Sequence, residues 1–190
     1  MGSRALSRLN FTKAKLLLVG EGGPSMEIVS QILLGFGVTQ PCKSTSAKDG
    51  LAAAASAAFD LILIDYDMEE MSGAEMCRDL RSDPNAKNYT APIIVLSALT
   101  SAETVGKVRD AGAHYVLAKP IVPGVLLERV EWIARCDREF VTSDGYRGPD
   151  RRFQQTPLPP GLNERRNETL KMLAAPERPL EQSEIDSLFG

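Results

Sequence analysis

Between residues 14 and 135, short apolar runs alternate with amphipathic stretches. Four runs are rich in Ile, Leu and Val, and they occupy residues 15–19, 59–64, 92–96 and 114–117. Runs of this length and composition predict strands that are buried on both faces of a parallel sheet. A weaker run at residues 39–46 predicts a strand at the sheet edge, where Pro41 is tolerated.

Helical patterns separate the predicted strands. Apolar residues at helical spacing, among them Met26 and Leu33, predict a first helix that ends at Gly37. Further helices are predicted at residues 47–58, 72–81, 101–111 and 122–136, and Ser72 with Glu75 has the spacing of a capping box. Five strand–helix pairs predict an α/β three-layer sandwich, in which right-handed crossovers place helices on both faces of a five-stranded parallel sheet.

The composition changes after Arg138. Six prolines lie there among Arg, Glu, Gln and Asn, and apolar residues are too few to build a core. This composition predicts a mostly disordered tail, with a weak helix at residues 163–174 and another at 183–189. The predicted organisation is an N-terminal arm at 1–13, a globular domain at 14–137, a Pro/Arg-rich linker at 138–179 and a terminal segment at 180–190.

Charge and cysteine content argue against several classes of protein. The net charge of -3 and the pI near 5.3 argue against wholesale binding of nucleic acid. No apolar run reaches membrane-spanning length and the N-terminus lacks a hydrophobic signal core, so we expect no membrane span and a cytoplasmic location. The three cysteines have no CxxC spacing and there is one histidine, which argues against a disulfide framework or a zinc site.

Polar residues directly follow four of the predicted strands. They are Glu21, Asp65, Ser97 and Lys119. Ligands of open parallel sheets bind beyond the carboxyl ends of the strands, so these side chains are expected to converge. Carboxylates suit Mg2+, a hydroxyl and an ammonium bind phosphoryl oxygens, and an aspartate beside the metal can act as a nucleophile.

Residues 15–136 resemble the receiver domains of response regulators, the CheY-like family. The resemblance rests on three segments, which are DLILIDYDMEEMSG at residues 60–73, PIIVLSA at 92–98 and AGAHYVLAKP at 111–120. It implies the flavodoxin-like sheet topology and a signalling regulator, not an enzyme. A sensor histidine kinase or a phosphotransfer protein is the implied phosphodonor partner.

The resemblance also implies residue roles. Asp65 accepts the phosphoryl group, with Ser97 and Lys119 as the other two catalytic positions. Mg2+ is the implied cofactor, and its implied ligands are Glu21, Asp65 and Asp67. A cis peptide bond is implied before Pro120.

Two positions depart from the family pattern. Gly20 stands where the family has a second acid beside Glu21, so we expect weaker binding of Mg2+. Val116 stands at the family's aromatic switch position, and Tyr115 is predicted to point to the opposite face of the strand. The usual coupling between the switch hydroxyl and an aromatic side chain is therefore not implied here.

The terminal segment LEQSEIDSLFG at residues 180–190 predicts a short amphipathic helix with partner-binding residues Leu180, Ile185, Leu188 and Phe189. Ser183 and Asp186 have capping-box spacing. The segment resembles the N-terminal peptide of the flagellar switch protein FliM, which binds phosphorylated CheY. The resemblance implies docking on a receiver domain, either its own or a separate one. The expected surface is at residues 101–135, where Lys107, Arg109 and Arg129 would meet the acidic peptide. A tail helix that only packs on its own domain is the alternative.

Three functions are consistent with the sequence. The first is a receiver that is switched by phosphorylation and acts through protein–protein contacts. The second, motivated by Gly20, is a receiver-like adaptor that works without phosphorylation. The third is a small nucleotide-binding enzyme of the same fold, although the loop at residues 20–24 lacks a phosphate-binding motif. Residues 146–153 contain a small basic cluster that could contact nucleic acid or a partner. Asp144 and Asp150 dilute its charge, which favours a solvated linker.

Overall fold

The computed structural model of the chain describes residues 11–136, 138–151 and 179–189. The first ten residues, most of the predicted linker with its helix at 163–174, and Gly190 lie outside the described residues.

The strands and helices alternate along the chain as predicted. The sheet strands are β1 (Leu16–Val19), β2 (Cys42–Ser44), β3 (Leu61–Asp65), β4 (Ile93–Ser97) and β5 (Tyr115–Ala118). The helices between and after them are α1 (Gly23–Gly35), α2 (Ala47–Ser56), α3 (Gly73–Leu80), α4 (Ala102–Asp110) and α5 (Pro123–Arg135). All five strands pair in parallel in the order β2-β1-β3-β4-β5, which confirms the predicted three-layer sandwich with CheY-like topology.

The central strands form the core because helices cover both faces of the sheet. In β1, β3 and β4 every residue except Asp65 is at most 4% exposed. Full burial of one Leu, Ile or Val side chain stabilises the fold by about 1.5–3 kcal/mol. The parallel register places Asp65 opposite Leu96 and Ser97 opposite Ala118, so the carboxyl ends of the strands share one edge.

Serine caps fix the starts of three helices. Ser46 and Ser101 accept hydrogen bonds from the backbone three residues on, and Ser72 forms the predicted capping box with Glu75. The peptide bond between Lys119 and Pro120 is cis, as the family resemblance implied. No helix in the described ranges is both long and apolar enough to cross a membrane.

A β-hairpin follows α5 within the segment that was predicted to be a disordered linker. It consists of β6 (Phe140–Ser143) and β7 (Tyr146–Pro149), which pair antiparallel. The prediction for these residues is wrong because the hairpin packs against the domain, which composition does not reveal. The Tyr89 and Thr142 hydroxyls lie 2.7 Å apart. A Cβ added to Gly148 would lie 2.6 Å from Cα of Gly112, so two backbones meet where there is no room for a side chain.

The hairpin covers a buried arginine at the end of α3. Arg81 is 1% exposed, and its guanidinium donates hydrogen bonds to four backbone carbonyls, which are those of Asn88, Tyr89, Ala91 and Gly112. The Phe140 ring lies 5.2 Å from the guanidinium carbon. Every part of this buried charge is therefore bonded or stacked, as burial of an ion requires. The hairpin belongs to the folded domain, which extends beyond the predicted boundary at residue 137.

A terminal helix, α6 (Gln182–Phe189), packs against α4 and β5. It begins one residue earlier than predicted. The predicted capping pair of Ser183 and Asp186 does not form at its start, where the Glu184 carboxylate instead accepts a hydrogen bond from the backbone of Glu181.

Candidate functional site

Asp65 and Lys119 form the centre of the site at the carboxyl edge of the sheet. Asp65 ends β3, and Lys119 directly follows β5. The Lys119 Nζ donates to both carboxylate oxygens of Asp65, at 2.7 and 2.6 Å. Both side chains are 19% exposed, so the pair is accessible from solvent and not sealed in the core. The carboxylate is thus held in a fixed orientation at a surface that is open to solvent.

Gly73 permits the loop after Asp65 to close tightly. A Cβ at Gly73 would lie 2.7 Å from the backbone oxygen of Asp65 and 2.9 Å from Cα of Tyr66. Backbone atoms cannot yield as a flexible side chain can, so a larger residue would push α3 away from the end of β3. Close packing against the backbone of Asp65 therefore explains why a glycine stands at position 73.

Ser97 lies on the strand beside Asp65 but is bonded elsewhere. It ends β4 and is fully buried, and its Oγ donates to the Leu99 carbonyl at 2.8 Å and accepts from the Leu99 amide at 3.1 Å. These bonds fold the loop that leads into α4. The structure thus places Ser97 at the predicted edge, with its hydroxyl turned toward this loop.

Glu21 and Asp67 border the site through the loop after β3. The Glu21 carboxylate accepts a hydrogen bond from the Glu69 amide. The Asp67 amide donates to Asp65 Oδ1 at 3.2 Å, while the side chain of Asp67 is exposed. The two predicted acids therefore border the loop beside Asp65 through backbone contacts, and they do not form one carboxylate cluster with it.

The donor set is compatible with a magnesium ion bound through few protein ligands. Among the described residues there is no group of three or more His, Cys, Asp or Glu side chains that could hold a metal. Mg2+ usually keeps several waters and uses one or two carboxylates together with phosphate oxygens. Asp65 and Glu21 offer hard oxygens of this kind.

Gly20 lies directly beside Asp65 and leaves little room for a larger side chain. An added Cβ would lie 3.1 Å from Cβ of Asp65 and 3.5 Å from its Oδ2. The backbone of Gly20 donates to the Ser44 carbonyl, which ties the end of β1 to β2. A larger residue at this position therefore has to displace Asp65 by a few tenths of an ångström.

Polar bonds hold α6 to the loop and strand beside the site. Leu180 and Thr100 form a pair of bonds, in which the Leu180 amide donates to the Thr100 carbonyl at 2.8 Å and the Thr100 hydroxyl donates to the Leu180 carbonyl at 2.7 Å. The Gln182 carboxamide accepts from the Ala118 amide at 2.9 Å and donates to the Val116 carbonyl at 3.0 Å. Gln182 thus bonds to β5 as a neighbouring strand would.

Apolar and charged contacts complete the attachment of α6. Ile185 and Phe189 are at most 3% exposed and join the domain core. The Phe189 ring stacks on Tyr115 with centroids 5.3 Å apart. Asp186 forms an ion pair with Arg129 of α5. Burial and a hydrogen bond with Asp186 raise the pKa of the Tyr115 hydroxyl, so Tyr115 remains protonated in this interface.

Not every residue predicted for this surface takes part in it. Leu188 was predicted to share the buried face of Ile185 and Phe189. It is 37% exposed, so this prediction is wrong. Lys107 and Arg109 pair with acids of α4, and Arg129 is the predicted cation that contacts the peptide. The contacts of Gln182 and Thr100 were not predicted.

The family's aromatic switch position is occupied by a buried aliphatic residue. Val116 is fully buried in β5. Tyr115 contacts Trp132 of α5, with ring centroids 5.9 Å apart, as well as Phe189 of α6. Tyr115, the aromatic residue of β5, therefore packs between α5 and α6.

Comparisons with known proteins identify the sandwich. The response regulator receiver domain family matches residues 16–131. Chemotaxis protein CheY of Pseudomonas aeruginosa is 25% identical over 119 residues, which are 63% of this chain and 94% of that protein. Sensory/regulatory protein RpfC of Xanthomonas campestris is 31% identical over 127 residues, which are 66% of this chain and 17% of RpfC. The structure of chemotaxis response regulator CheY4 of Vibrio cholerae superposes with a TM-score of 0.57 at 29% identity, covering 63% of this chain and 98% of that one. The hairpin and α6 lie beyond the residues that the family matches.

Proposed function

The chain belongs to the response regulator receiver domain family, and from this we propose that it is a signalling protein switched by phosphorylation of Asp65. The observation that carries the proposal is the clamp of Lys119 on both oxygens of Asp65 at the carboxyl edge of the sheet. A lysine ammonium held at this carboxylate is placed to neutralise a phosphoryl group that forms there.

The proposed reaction is transfer from a phosphohistidine of a sensor histidine kinase or a phosphotransfer protein. An oxygen of Asp65 attacks the phosphorus, a P–O bond forms as the P–N bond breaks, and the imidazole leaves and takes up a proton from water. Lys119 then pairs with a phosphoryl oxygen, and Ser97 donates its hydroxyl proton to another. Ser97 must give up its bond to the Leu99 carbonyl to do this.

Mg2+ is the proposed cofactor, with Asp65 and Glu21 as protein ligands and Asp67 at the rim of the site. When bound, it neutralises charge on the phosphoryl oxygens. Gly20 leaves one carboxylate fewer at this position, so the expected affinity for Mg2+ is low.

Incubation with acetyl phosphate and Mg2+ tests the proposal. The intact mass is expected to rise by one phosphoryl group, and Asp65→Asn is expected to abolish the gain. Asp79→Asn, which removes an exposed carboxylate from α3, is the matched control and should be modified like the wild type. A wild-type protein that stays unmodified with donor and Mg2+ in excess would contradict the proposal.

A receiver-like adaptor is the second candidate, and Gly20 is the observation that favours it. In that case α6 and its surface would act without any chemistry at Asp65. The mass measurement decides between the two candidates, because the adaptor predicts no modification at any concentration of donor.

We further propose that α6 is a recognition helix for receiver domains and that its own domain is one of its binding sites. The contacts of Gln182, Ile185 and Phe189 support this role, because they combine backbone pairing with two buried anchors, as helix-in-groove recognition does. A separate receiver domain is the proposed partner when α6 is free.

A further inference from the structure

Two of the residues proposed to bind the phosphoryl group are close in sequence to contacts of α6. We propose that α6 is an autoinhibitory helix, which phosphorylation of Asp65 releases through these short backbone connections. The inference rests on the proposed phosphorylation of Asp65 and adds the route and direction of the response.

The first connection runs through the loop between β4 and α4. The Ser97 hydroxyl makes two bonds to the backbone of Leu99, and the next residue, Thr100, makes two bonds to Leu180. Four consecutive residues, 97–100, therefore include both the hydroxyl of the site and the attachment point of the tail. The position of Thr100 depends on what Ser97 is bonded to.

The second connection runs through the end of β5. Lys119 holds Asp65 through its side chain, and the residue before it, Ala118, donates its amide to the Gln182 carboxamide. A shift of Lys119 from the carboxylate to a phosphoryl oxygen moves the backbone to which Gln182 is bonded. Both Ser97 and Lys119 are thus linked through neighbouring backbone to residues 180–182 of the tail.

The Ser97 hydroxyl determines whether phosphorylation loosens or tightens the docking of α6. It has one proton, which it donates to Leu99 in the unphosphorylated geometry, the geometry in which α6 is docked. Donation to a phosphoryl oxygen removes that bond and frees the loop that holds Leu180. Since Val116 replaces the aromatic switch residue, the route passes through backbone bonds and not through an aromatic side chain.

Linkage makes the effect reciprocal. If phosphorylation weakens the docking of α6 by some factor, docking must weaken binding of a phosphoryl group or its analogue by the same factor. We expect a factor of about 5–10, within the usual range of coupling between two sites. Released α6 has only eight residues and is too short to remain helical in water, so its amides should exchange rapidly.

The experiment uses the full chain and follows two quantities. Hydrogen exchange of residues 182–189 is measured by mass spectrometry with Mg2+, with and without acetyl phosphate, and intact mass gives the modified fraction of the same samples. Exchange of α6 is expected to accelerate at least about fivefold with phosphorylation, while exchange of β1 stays unchanged.

Binding of beryllofluoride with Mg2+, followed by fluorine NMR, tests the reciprocal effect. Gln182→Ala removes the bonds to β5 and is expected to bind the analogue about 5–10 times more tightly than the wild type. Ser183→Ala changes an exposed neighbour on the same helix and should bind like the wild type.

The outcomes separate the inference from the proposed function. If Asp65 is modified while exchange of α6 is unchanged or slower, or if Gln182→Ala binds the analogue no better, the autoinhibitory role is wrong and the phosphorylation-switched function stands. If Asp65 is never modified, both are wrong.

Discussion

The loss of one acid at Gly20 is the change at single-residue scale with the clearest expected effect on the site. Gly20→Asp would restore a carboxylate beside a hard cation, and we expect affinity for Mg2+ to rise about tenfold. The added Cβ has to shift Asp65 slightly, so part of the gain is offset. A titration with Mg2+ followed by chemical shifts measures the effect.

Gly20→Asn is the control for this substitution, because it adds the same volume without the charge. It should bind Mg2+ no better than the wild type. Equal affinity in all three proteins would show that the oxygens of Asp65 and the neighbouring loop already supply what the ion needs.

His114 makes the stability of the domain depend on pH. Its Nδ1 accepts a hydrogen bond from the Ile93 amide at 3.2 Å, which requires the neutral ring. Burial, helped by the charges of Arg81 and Arg138, lowers the pKa of His114 to about 3 from an ordinary 6.5. Because the folded pKa is depressed, the stabilisation is complete above pH 6.5 and is lost as the pH falls from 6.5 toward 3.

Urea unfolding at pH 7 and pH 5 measures this dependence. We expect the free energy of unfolding to fall by about 1–2 kcal/mol between them through His114 alone. His114→Asn keeps an acceptor near Nδ1 but cannot be protonated, so its stability should vary less with pH by that amount. An equal slope in both proteins would assign the dependence to other groups.

The site residues that can be predicted from the sequence are those whose positions follow directly from the strand pattern. Asp65 and Lys119 were placed together because both follow strands of one parallel sheet, and that placement needs only the period of the apolar runs. Gln182 and Thr100 were not predicted, since a carboxamide that bonds to a strand from another element leaves no local pattern. The exposure of Leu188 was missed because an eight-residue helix has too few turns to fix its buried face.

At the scale of elements, predictions succeeded where the sequence carries its own start and stop signals. Ser72 and Ser101 cap helices at the predicted places, and buried strands were recognised by their apolar runs. The hairpin of β6 and β7 was missed because its stability comes from Arg81 and Tyr89, which are some fifty residues away in the chain. A short hairpin alone is marginal in water, and packing against a partner surface is what stabilises it.

Removal of the ring that covers Arg81 tests this account of the hairpin. Phe140→Ala should lower the free energy of unfolding by about 2–3 kcal/mol, because it exposes a buried guanidinium and leaves the Tyr89 ring without its neighbour. Urea denaturation measures the change. Glu139→Ala, which truncates an exposed side chain at the same end of the strand, should have little effect, and similar losses in both variants would contradict the role of Phe140.

At the scale of the molecule, the chain between the hairpin and α6 sets how firmly the tail is held. Residues 152–178 lie outside the described residues and belong to the linker whose composition predicts disorder. A disordered chain of that length would have an average span of roughly 25–30 Å. Such a tether gives an effective concentration in the millimolar range. A separate peptide or protein that competes for the same surface must therefore bind far better than α6 itself, unless phosphorylation has already loosened the helix.

The sheet has two edge strands, β2 and β5, and they are protected from pairing with other molecules in different ways. β2 has only three residues, which offers little to another strand, whereas β5 is an end strand whose Val116 carbonyl and Ala118 amide are bonded to Gln182. Without the tail, β5 becomes an unprotected template for strand addition between molecules. Proteolytic loss of residues 179–190 should therefore produce a self-associating protein. Analytical ultracentrifugation would reveal this as a sedimentation coefficient that rises with concentration only after cleavage, and an unchanged monomer at all concentrations would show that β5 needs no such protection.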